Sequence, residues 1–201
     1  GPDEPYSIPL LVSDLVALLK ALKIDKTHFV GLSMGGMIGQ LLAAHHPDLL
    51  KTLTLCATTC QMPKEAIPAW NERIVLAGAK GMGALVESTV ERWFTRTFID
   101  GTTHSIDRVR EMIRQTPPQA FIRCGQTIKV LAQLDMLKEV QSPTLVLVGA
   151  EDPSTPPAAS KLIKDNIVGA EMEIIGQASH LLNIEQSESF NERLLRFLTT
   201  H

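Results

Sequence analysis

The sequence has few aromatic residues, few cysteines, no excess of positive charge and no long hydrophobic run. Of its 201 residues, 4% are aromatic and three are cysteine, and the formal net charge is −3. Proteins that bind nucleic acid usually carry a basic patch, so we expect no nucleic-acid partner. The longest apolar run, residues 144–150, is far shorter than the roughly 20 residues of a membrane-spanning helix, so we expect no membrane insertion.

The cysteines Cys56, Cys60 and Cys124 form no CxxC pair, and no histidine lies at metal-ligand spacing from them. Cys56 and Cys60 flank the end of an apolar run, where cysteine usually acts as a small hydrophobic residue. Residues 1–5 are acidic and proline-rich, unlike a signal peptide, which is basic and then apolar. The sequence therefore predicts structural thiols in a cytoplasmic protein.

Four short apolar segments predict the strands of a parallel sheet. The first three lack strict polar alternation, which is typical of strands buried on both faces. Helical patterns separate them, including leucines at helical spacing from Leu11 to Leu22 and a second helix over Met34–His45. This alternation of strand and helix predicts an α/β fold. The predicted strands are Thr27–Leu32, Lys51–Ala57, Thr144–Gly149 and Glu171–Ile175, and the later helices are Ala158–Asn166 and Ser187–Leu198.

The region between the second and third predicted strands has helical patterns and no convincing strand. The sequence thus predicts a core formed by residues 1–61 and 141–201, and a helical cap formed by residues 62–140, which we call the cap segment. Ligands of parallel sheets bind at the carboxyl ends of the strands, so a cap inserted there is expected to act as a lid. The helices predicted in the cap segment are Glu65–Ala79, Met82–Phe94, Ser105–Gln115 and Gln119–Leu131.

The segment GLSMGG, residues 31–36, matches the pattern G-x-S-x-G between a predicted strand and a predicted helix. A serine on such a turn, here Ser33, exposes its hydroxyl above the sheet edge. Gly31 and Gly35 are expected to be required, because side chains there would collide with neighbouring backbone. The N–H of Met34, at the start of the helix, is the candidate donor to an oxyanion. The alternative is a glycine-rich turn that only packs helix against strand.

A serine nucleophile needs a general base, and the base needs an acid to orient it. In this architecture the chain order is serine, then aspartate or glutamate, then histidine. Asp152 follows the third predicted strand and His180 follows the fourth, so both are expected at the sheet edge that carries Ser33. Glu151 competes with Asp152, but Pro153 favours an extended conformation for Asp152. For His180 the alternative is a solvated loop histidine.

These segments resemble α/β-hydrolases of the 3-oxoadipate enol-lactonase group. The resemblance covers residues 6–198. It implies an α/β-hydrolase-type parallel sheet, of which this chain has the C-terminal four strands, with the helical cap inserted before the third of them. It also implies hydrolysis of the enol-lactone formed in aromatic-compound breakdown, in the β-ketoadipate pathway. The segments that carry the resemblance are GLSMGGMIGQ at residues 31–40, ERWFT at 91–95, DPSTPP at 152–157 and HLLNIEQ at 180–186.

The resemblance implies a catalytic triad in which Ser33 attacks the lactone carbonyl, His180 transfers the protons and Asp152 orients the imidazole. No metal or organic cofactor is needed. The substrate of this group carries a carboxylate, so a cationic group is expected to reach the pocket. Trp93 is a candidate pocket wall, or else a residue of the cap core. The candidate cationic residues are Arg73, Arg92, Arg96 and Arg123.

Compared with this group, the chain begins late, because only residues 1–32 precede Ser33. The first four strands have no counterpart, nor does the loop marked His-Gly that supplies a second oxyanion donor. Loss of one such donor typically costs on the order of a hundred- to a thousandfold in rate. The apolar strand Thr27–Leu32 would then have an open edge, so we expect a homo-oligomer or association with a missing N-terminal segment.

Three hypotheses about function stay open at this point. The chain is an enol-lactonase or a fragment of one, another small-ester hydrolase with the same triad, or a non-catalytic module for binding or subunit pairing. The first two require a small-molecule lactone or ester substrate.

Overall fold

The computed structural model describes residues 6–101 and 104–201, and its centre is a sheet of four parallel strands. The strands lie in the sheet in their chain order, and each pairs in parallel with the next. They are β1, Thr27–Leu32; β2, Leu50–Cys56; β3, Thr144–Gly149; and β4, Glu171–Ile175. The α/β fold with a parallel sheet is confirmed.

Three of the strands have the predicted bounds, and β2 begins and ends one residue earlier than predicted. Ala57 does not continue β2 because its backbone turns into the left-handed region, with a φ of 43°. Its N–H still donates to the carbonyl of Leu147, at 2.8 Å, so the chain turns directly at the carboxyl edge of the sheet.

The continuous apolar run of β3 fits its position, since every residue of this strand is buried. Leu145 and Leu147 pack on one face of the sheet, in a cluster with Ile175 and Phe190. Val146 packs in the cluster on the other face. A strand covered on both faces needs apolar residues at consecutive positions, which explains the absence of polar alternation.

Helices of the core cover both faces of the sheet. The first begins directly after Ser7, whose hydroxyl accepts a hydrogen bond from the N–H of Leu10 at 3.2 Å and so caps the helix. The second ends at His45, before Pro47, as predicted. The core helices are α1, Ile8–Ala21; α2, Met34–His45; α8, Pro157–Asn166; α9, Leu182–Glu185; and α10, Ser187–Thr200.

The described part of the cap segment is helical and has an apolar cluster of its own, which includes Leu85, Val90, Phe94 and Ile106. The helix predicted over Met82–Phe94 is instead a short 3₁₀ helix followed by an α-helix, and the six-residue helix Arg96–Gly101 was not predicted. The helices are α3, Ile67–Lys80; α4, Val86–Trp93; α5, Arg96–Gly101; α6, His104–Gln115; and α7, Pro118–Lys129.

The two ends of the cap segment are joined at its base. The N–H of Met62 donates to the carbonyl of Leu131 at 3.0 Å, and the N–H of Gln133 donates to the carbonyl of Cys60 at 2.7 Å. These bonds fix where the segment leaves and re-enters the core. Its action as a lid stays a prediction.

Strand β1 lies at one edge of the sheet, and β2 is its one partner strand within the described ranges. Val30 of this strand is 42% exposed. Association through this edge stays a prediction. In residues 6–101 and 104–201, no helix combines the length and apolar character that a membrane crossing requires.

Candidate active site

Ser33 occupies the turn between β1 and α2 with a φ of 53° and a ψ of −114°. Its N–H donates to the carbonyl of Cys56 at 2.9 Å, and the hydroxyl of Thr58 donates to its carbonyl at 2.7 Å. Its own hydroxyl does not cap α2. Such a backbone costs about 1–3 kcal/mol in a residue other than glycine and is concentrated at functional sites. The turn therefore leaves a half-buried serine hydroxyl uncommitted at the carboxyl end of β1.

Two glycines make this turn possible, and only one of them, Gly31, is a glycine that the sequence predicts to be required. A Cβ atom at Gly31 would lie 2.4 Å from the carbonyl oxygen of Gly35, as expected. At Gly35 itself no atom lies within 4 Å of a Cβ, so the prediction that Gly35 is required was wrong. The second crowded position is Gly36, where a Cβ would lie 2.7 Å from the side chain of Thr58.

Asp152 and His180 form a buried hydrogen-bonded pair, in which Nδ1 of the imidazole lies 2.8 Å from Oδ2 of the carboxylate. Each residue is 3% exposed. The hydroxyl of Thr155 donates to the same oxygen at 2.7 Å, and the N–H groups of Ser154 and Thr155 donate to Oδ1 at 2.8 and 3.1 Å. Glu151 is exposed, so Asp152 rather than Glu151 meets the imidazole.

The pKa of Asp152 reflects two opposing effects. Burial raises the pKa of this carboxyl, but hydrogen bonds from His180 and Thr155, together with attraction to the imidazole, lower it below its usual value. An ionised Asp152 accepts a hydrogen bond from the Nδ1–H group of His180, which leaves Nε2 without a proton and free to act as a base. The pair can therefore hold a histidine in the tautomer that general-base catalysis needs.

The loops that carry Asp152 and His180 cross at the carboxyl ends of β3 and β4. The N–H of Glu151 donates to the carbonyl of Ala178 at 2.9 Å. A Cβ at Gly149 would lie 2.2 Å from the carbonyl oxygen of Ser179, so this crossing requires a glycine. Because the strands are parallel, Ser33 lies at the same edge. The hydrogen bonds among the described residues include none between the Ser33 hydroxyl and His180, so assembly of all three stays a prediction.

The end of α4 contacts the loop of His180 on both sides of the histidine. The Ser179 hydroxyl donates to the carbonyl of Arg92 at 3.1 Å, and the N–H of Leu181 donates to the carbonyl of Trp93 at 3.0 Å. The ring of Trp93 stacks near the imidazole, with centroids 6.2 Å apart and planes at 27°. Trp93 also packs against the apolar cluster of the cap segment. Trp93 therefore packs in the core of the cap segment, and its role as a pocket wall stays a prediction.

Glu185 joins the cap segment to the His180 loop. Its Oε1 accepts from the N–H of Thr95 at 2.8 Å, and its Oε2 accepts from the N–H of Ser179 at 3.3 Å. The side chain is buried, and burial raises the pKa of this carboxyl. One carboxylate thus links the residue before His180 to the residues after α4.

Sequence analysis did not identify Glu185 or Thr155 as site residues. For Glu185 the signal was a lone carboxylate in the apolar stretch that follows His180. For Thr155 the signal was its position three residues after Asp152, because an aspartate side chain often accepts hydrogen bonds from the residues that follow it in a turn.

The four candidate arginines have different surroundings in the structure. Arg96 is exposed and forms an ion pair with Asp100 at 3.0 Å, which gives no support for a role in substrate binding. The guanidinium of Arg123 lies 5.7 Å from the ring of Tyr6. Arg92 is half-buried beside the His180 loop, and Arg73 on α3 is half-buried with its guanidinium 4.2 Å from the ring of Trp70.

The described residues contain no group of three or more histidine, cysteine or acidic side chains that could hold a metal ion. Cys56 and Cys60 are buried as free thiols, and burial raises their pKa values to about 12 and about 11. At neutral pH these thiols stay protonated, so they pack as small apolar side chains.

Comparison with known proteins gives consistent results. The sequence profile of the α/β hydrolase fold family matches residues 1–187. A relative, 3-oxoadipate enol-lactonase 2 of Acinetobacter baylyi, is 30% identical over 190 residues, which make up 94% of this chain and 70% of that protein.

Solved structures agree with the sequence relatives. The enol-lactonase from Burkholderia xenovorans superposes with a TM-score of 0.94 at 31% identity, covering 99% of this chain and 75% of that one. A thermophilic esterase from Thermogutta terrifontis gives a TM-score of 0.90 at 26% identity, covering 98% of this chain and 74% of that one.

Proposed function

Because this chain belongs to the α/β hydrolase fold family, we propose that it is a serine hydrolase that cleaves a lactone or ester through an acyl-enzyme. Ser33 is the nucleophile, His180 the general base and Asp152 the residue that orients the base. The observation that carries the proposal is the buried hydrogen bond of 2.8 Å between Asp152 and His180, at the sheet edge that holds the strained turn of Ser33.

The reaction begins when the Ser33 hydroxyl attacks the carbonyl carbon and its proton passes to Nε2 of His180. Ionised Asp152 stabilises the imidazolium that results. The negative oxygen of the tetrahedral intermediate faces the start of α2, where the N–H of Met34 has no acceptor within the helix. Collapse of the intermediate breaks the bond between the carbonyl carbon and the ring oxygen.

In an enol-lactone the oxygen that leaves is an enolate oxygen. His180 returns its proton to this group, and the enol then tautomerises to a ketone. A water molecule, deprotonated by His180, next attacks the acyl-enzyme and releases the carboxylic acid and free Ser33. These steps need no cofactor.

The substrate we propose is 3-oxoadipate enol-lactone, in the cytoplasmic breakdown of aromatic compounds. Similarity to two enol-lactonases, at 30% and 31% identity, supports this choice. Trp93 beside His180 supplies an apolar wall against which the lactone ring packs, and the cap segment closes over it. A second candidate is hydrolysis of small esters, which the likeness to the Thermogutta esterase favours.

Turnover by the wild type and by Ser33→Ala tests the proposal. With enol-lactone and with p-nitrophenyl acetate as substrates, we expect a higher kcat/KM for the lactone. The variant should lose on the order of 10⁴-fold or more in kcat for both, because the triad acts as a unit. Turnover of the ester alone would favour the second candidate. Undiminished turnover by Ser33→Ala would contradict the proposed mechanism.

A further inference from the structure

Glu185 is a buried carboxylate that the proposed mechanism does not use. Its side chain accepts hydrogen bonds from two backbone N–H groups, of Thr95 at 2.8 Å and of Ser179 at 3.3 Å, and not from a cation. The residue is 8% exposed, and burial raises the pKa of its carboxyl. Because burying a carboxylate is costly and such groups are concentrated at functional sites, this position points to a role in the site beside it.

Helix α9 carries Glu185 and lies between the cap segment and the sheet. Leu181, just before the helix, and Ile184 on it pack against the apolar cluster of the cap segment. Leu182 packs instead in the buried cluster on one face of the sheet. The N–H of Glu185 donates to the carbonyl of Leu181 at 3.1 Å. That bond fixes Glu185 one helical turn after the residue that follows His180.

The backbone on both sides of His180 is linked to the end of α4. The hydroxyl of Ser179 and the N–H of Leu181 donate to carbonyl groups there, at 3.1 and 3.0 Å. The carboxylate of Glu185 adds a third link, because it joins the N–H of Ser179 to the N–H of Thr95. This link needs two acceptor oxygens on one side chain, which a carboxylate has and an amide lacks.

The position of this loop decides where the base points. Asp152 holds Nδ1 of His180 at 2.8 Å, and the backbone of the loop then determines how far Nε2 lies from the hydroxyl of Ser33. A misplacement of about 1 Å can lower the rate of a catalysed step by about 10²-fold. The links between the loop and the cap segment therefore bear on the reaction as well as on the fold.

We infer that Glu185 is a positioning residue of the active site, whose carboxylate holds the His180 loop against the cap segment so that Nε2 is aimed at Ser33. The cap segment thus takes part in catalysis through the backbone of the base. The effect on turnover rests on the proposed function, whereas the alignment of the imidazole with Asp152 can be measured without a substrate.

Steady-state kinetics of Glu185→Gln test the effect on turnover. Glutamine has one acceptor where the carboxylate has two, so one of the two N–H groups loses its partner. With p-nitrophenyl acetate, kcat should fall by about tenfold or more. KM should change by no more than about twofold, because His180 serves acylation and deacylation alike and both steps slow together. Glu192→Gln makes the same change at an exposed position of α10 and should leave both constants unchanged.

Proton NMR of the Nδ1–H group of His180 tests the alignment in the absence of substrate. A proton held between an imidazole and a carboxylate resonates far downfield, and the absence of this resonance from His180→Gln assigns it. In Glu185→Gln the resonance should move upfield, because the displaced loop weakens the hydrogen bond to Asp152. Ile113→Val removes one methyl group from the apolar cluster of the cap segment and should leave the resonance and kcat unchanged.

Thermal unfolding shows whether each variant is folded. If Glu185→Gln does not fold, Ser179→Ala removes the hydroxyl link to α4 and should show the same combination of lower kcat, unchanged KM and an upfield resonance. An unmoved resonance, a wild-type kcat in Glu185→Gln, or an equal loss of kcat in Ile113→Val would overturn the inference. If the wild type hydrolyses no ester or lactone but the resonance moves in Glu185→Gln alone, the positioning role stands and the proposed function fails.

Discussion

The two halves of the candidate active site are held in place by different interactions. Ser33 is positioned by its backbone, with a φ of 53°, a hydrogen bond from its N–H to Cys56, and no hydrogen bond from its hydroxyl to the helix that follows. The pair of Asp152 and His180 is positioned by side chains, because the carboxylate accepts four hydrogen bonds. Changes that crowd the backbone of the Ser33 turn should therefore damage fold and activity together, whereas changes in the pair should affect activity far more than stability.

The largest expected effect is on activity and comes from Asp152→Asn. The amide has nearly the same shape, but it no longer favours the tautomer with the proton on Nδ1, so kcat should fall by about 10⁴-fold, as in other triads. Steady-state kinetics and thermal unfolding check this result. Glu151→Gln, at the exposed neighbouring position, is the control and should retain activity. Comparable kcat values for the two variants would remove Asp152 from the mechanism.

Asp152→Asn should also change how stability depends on pH. The pKa of Asp152 is lowered in the folded protein from its usual 3.8. Its ionised form therefore stabilises the fold above about pH 3.8, and this contribution is lost as the pH falls through the lowered pKa. Denaturant unfolding at several pH values should show the deficit of the asparagine variant shrinking in acid. A deficit that is constant with pH would contradict this reading of the pair.

The second effect is on stability, and it compares two glycines of one turn. Gly31→Ala places a Cβ 2.4 Å from backbone that cannot move aside. The free energy of unfolding should therefore fall by about 1–3 kcal/mol or more, and activity should be lost as well. Gly35→Ala meets no atom within 4 Å and lies in a helix, where alanine is favoured over glycine by about 1 kcal/mol. Equal destabilisation by both changes would show that crowding does not shape the turn.

A smaller effect is expected at Glu185, whose carboxylate accepts hydrogen bonds from both the cap segment and the loop of His180. Glu185→Gln keeps an acceptor for the N–H of Thr95 but places the amide NH₂ group opposite the N–H of Ser179. This change should lower the free energy of unfolding by about 1–3 kcal/mol. Because burial raises the pKa of Glu185 above 4.5, wild-type stability contains a contribution that is lost as the pH rises from 4.5 through the raised value.

The glutamine variant at position 185 should lack that pH-dependent contribution. The free energy of unfolding of the wild type minus that of the variant should be larger near pH 4.5 than at neutral pH. Unfolding by denaturant at both pH values measures the difference. An unchanged difference between the two proteins at both values would mean that folding does not raise the pKa of Glu185.

Particular residues show how far sequence reasoning reaches. The buried strand Thr144–Gly149 and the turn of Ser33 were predictable because their patterns depend on local chemistry and on burial. The helix α5 was not predicted, since six residues give too short a period to recognise. The prediction for Gly35 was wrong for a different reason. Crowding at a glycine depends on which atoms the fold brings next to it. Here the fold brings atoms next to Gly31 and Gly36 but not next to Gly35.

The arginines illustrate a second limit. The sequence offered Arg73, Arg92, Arg96 and Arg123 on equal terms, because a charged side chain on a helix gives no local sign of its partner. Only the packing of the cap segment distinguishes Arg96, paired with Asp100, from Arg92, whose Nε is buried without a partner. Residues that act across elements, such as Glu185, are hidden from sequence patterns for the same reason.

Covalent labelling tests the role of Ser33 most directly. The protein is treated with a fluorophosphonate, a reagent that reacts with activated serines, and the intact mass and the modified peptide are then measured. We predict one adduct, located on Ser33, that is absent from Ser33→Ala and forms much more slowly in His180→Gln, because the base that activates the hydroxyl is missing. No adduct on the folded wild type, or an adduct that persists in Ser33→Ala, would contradict the assignment of Ser33 as an activated nucleophile.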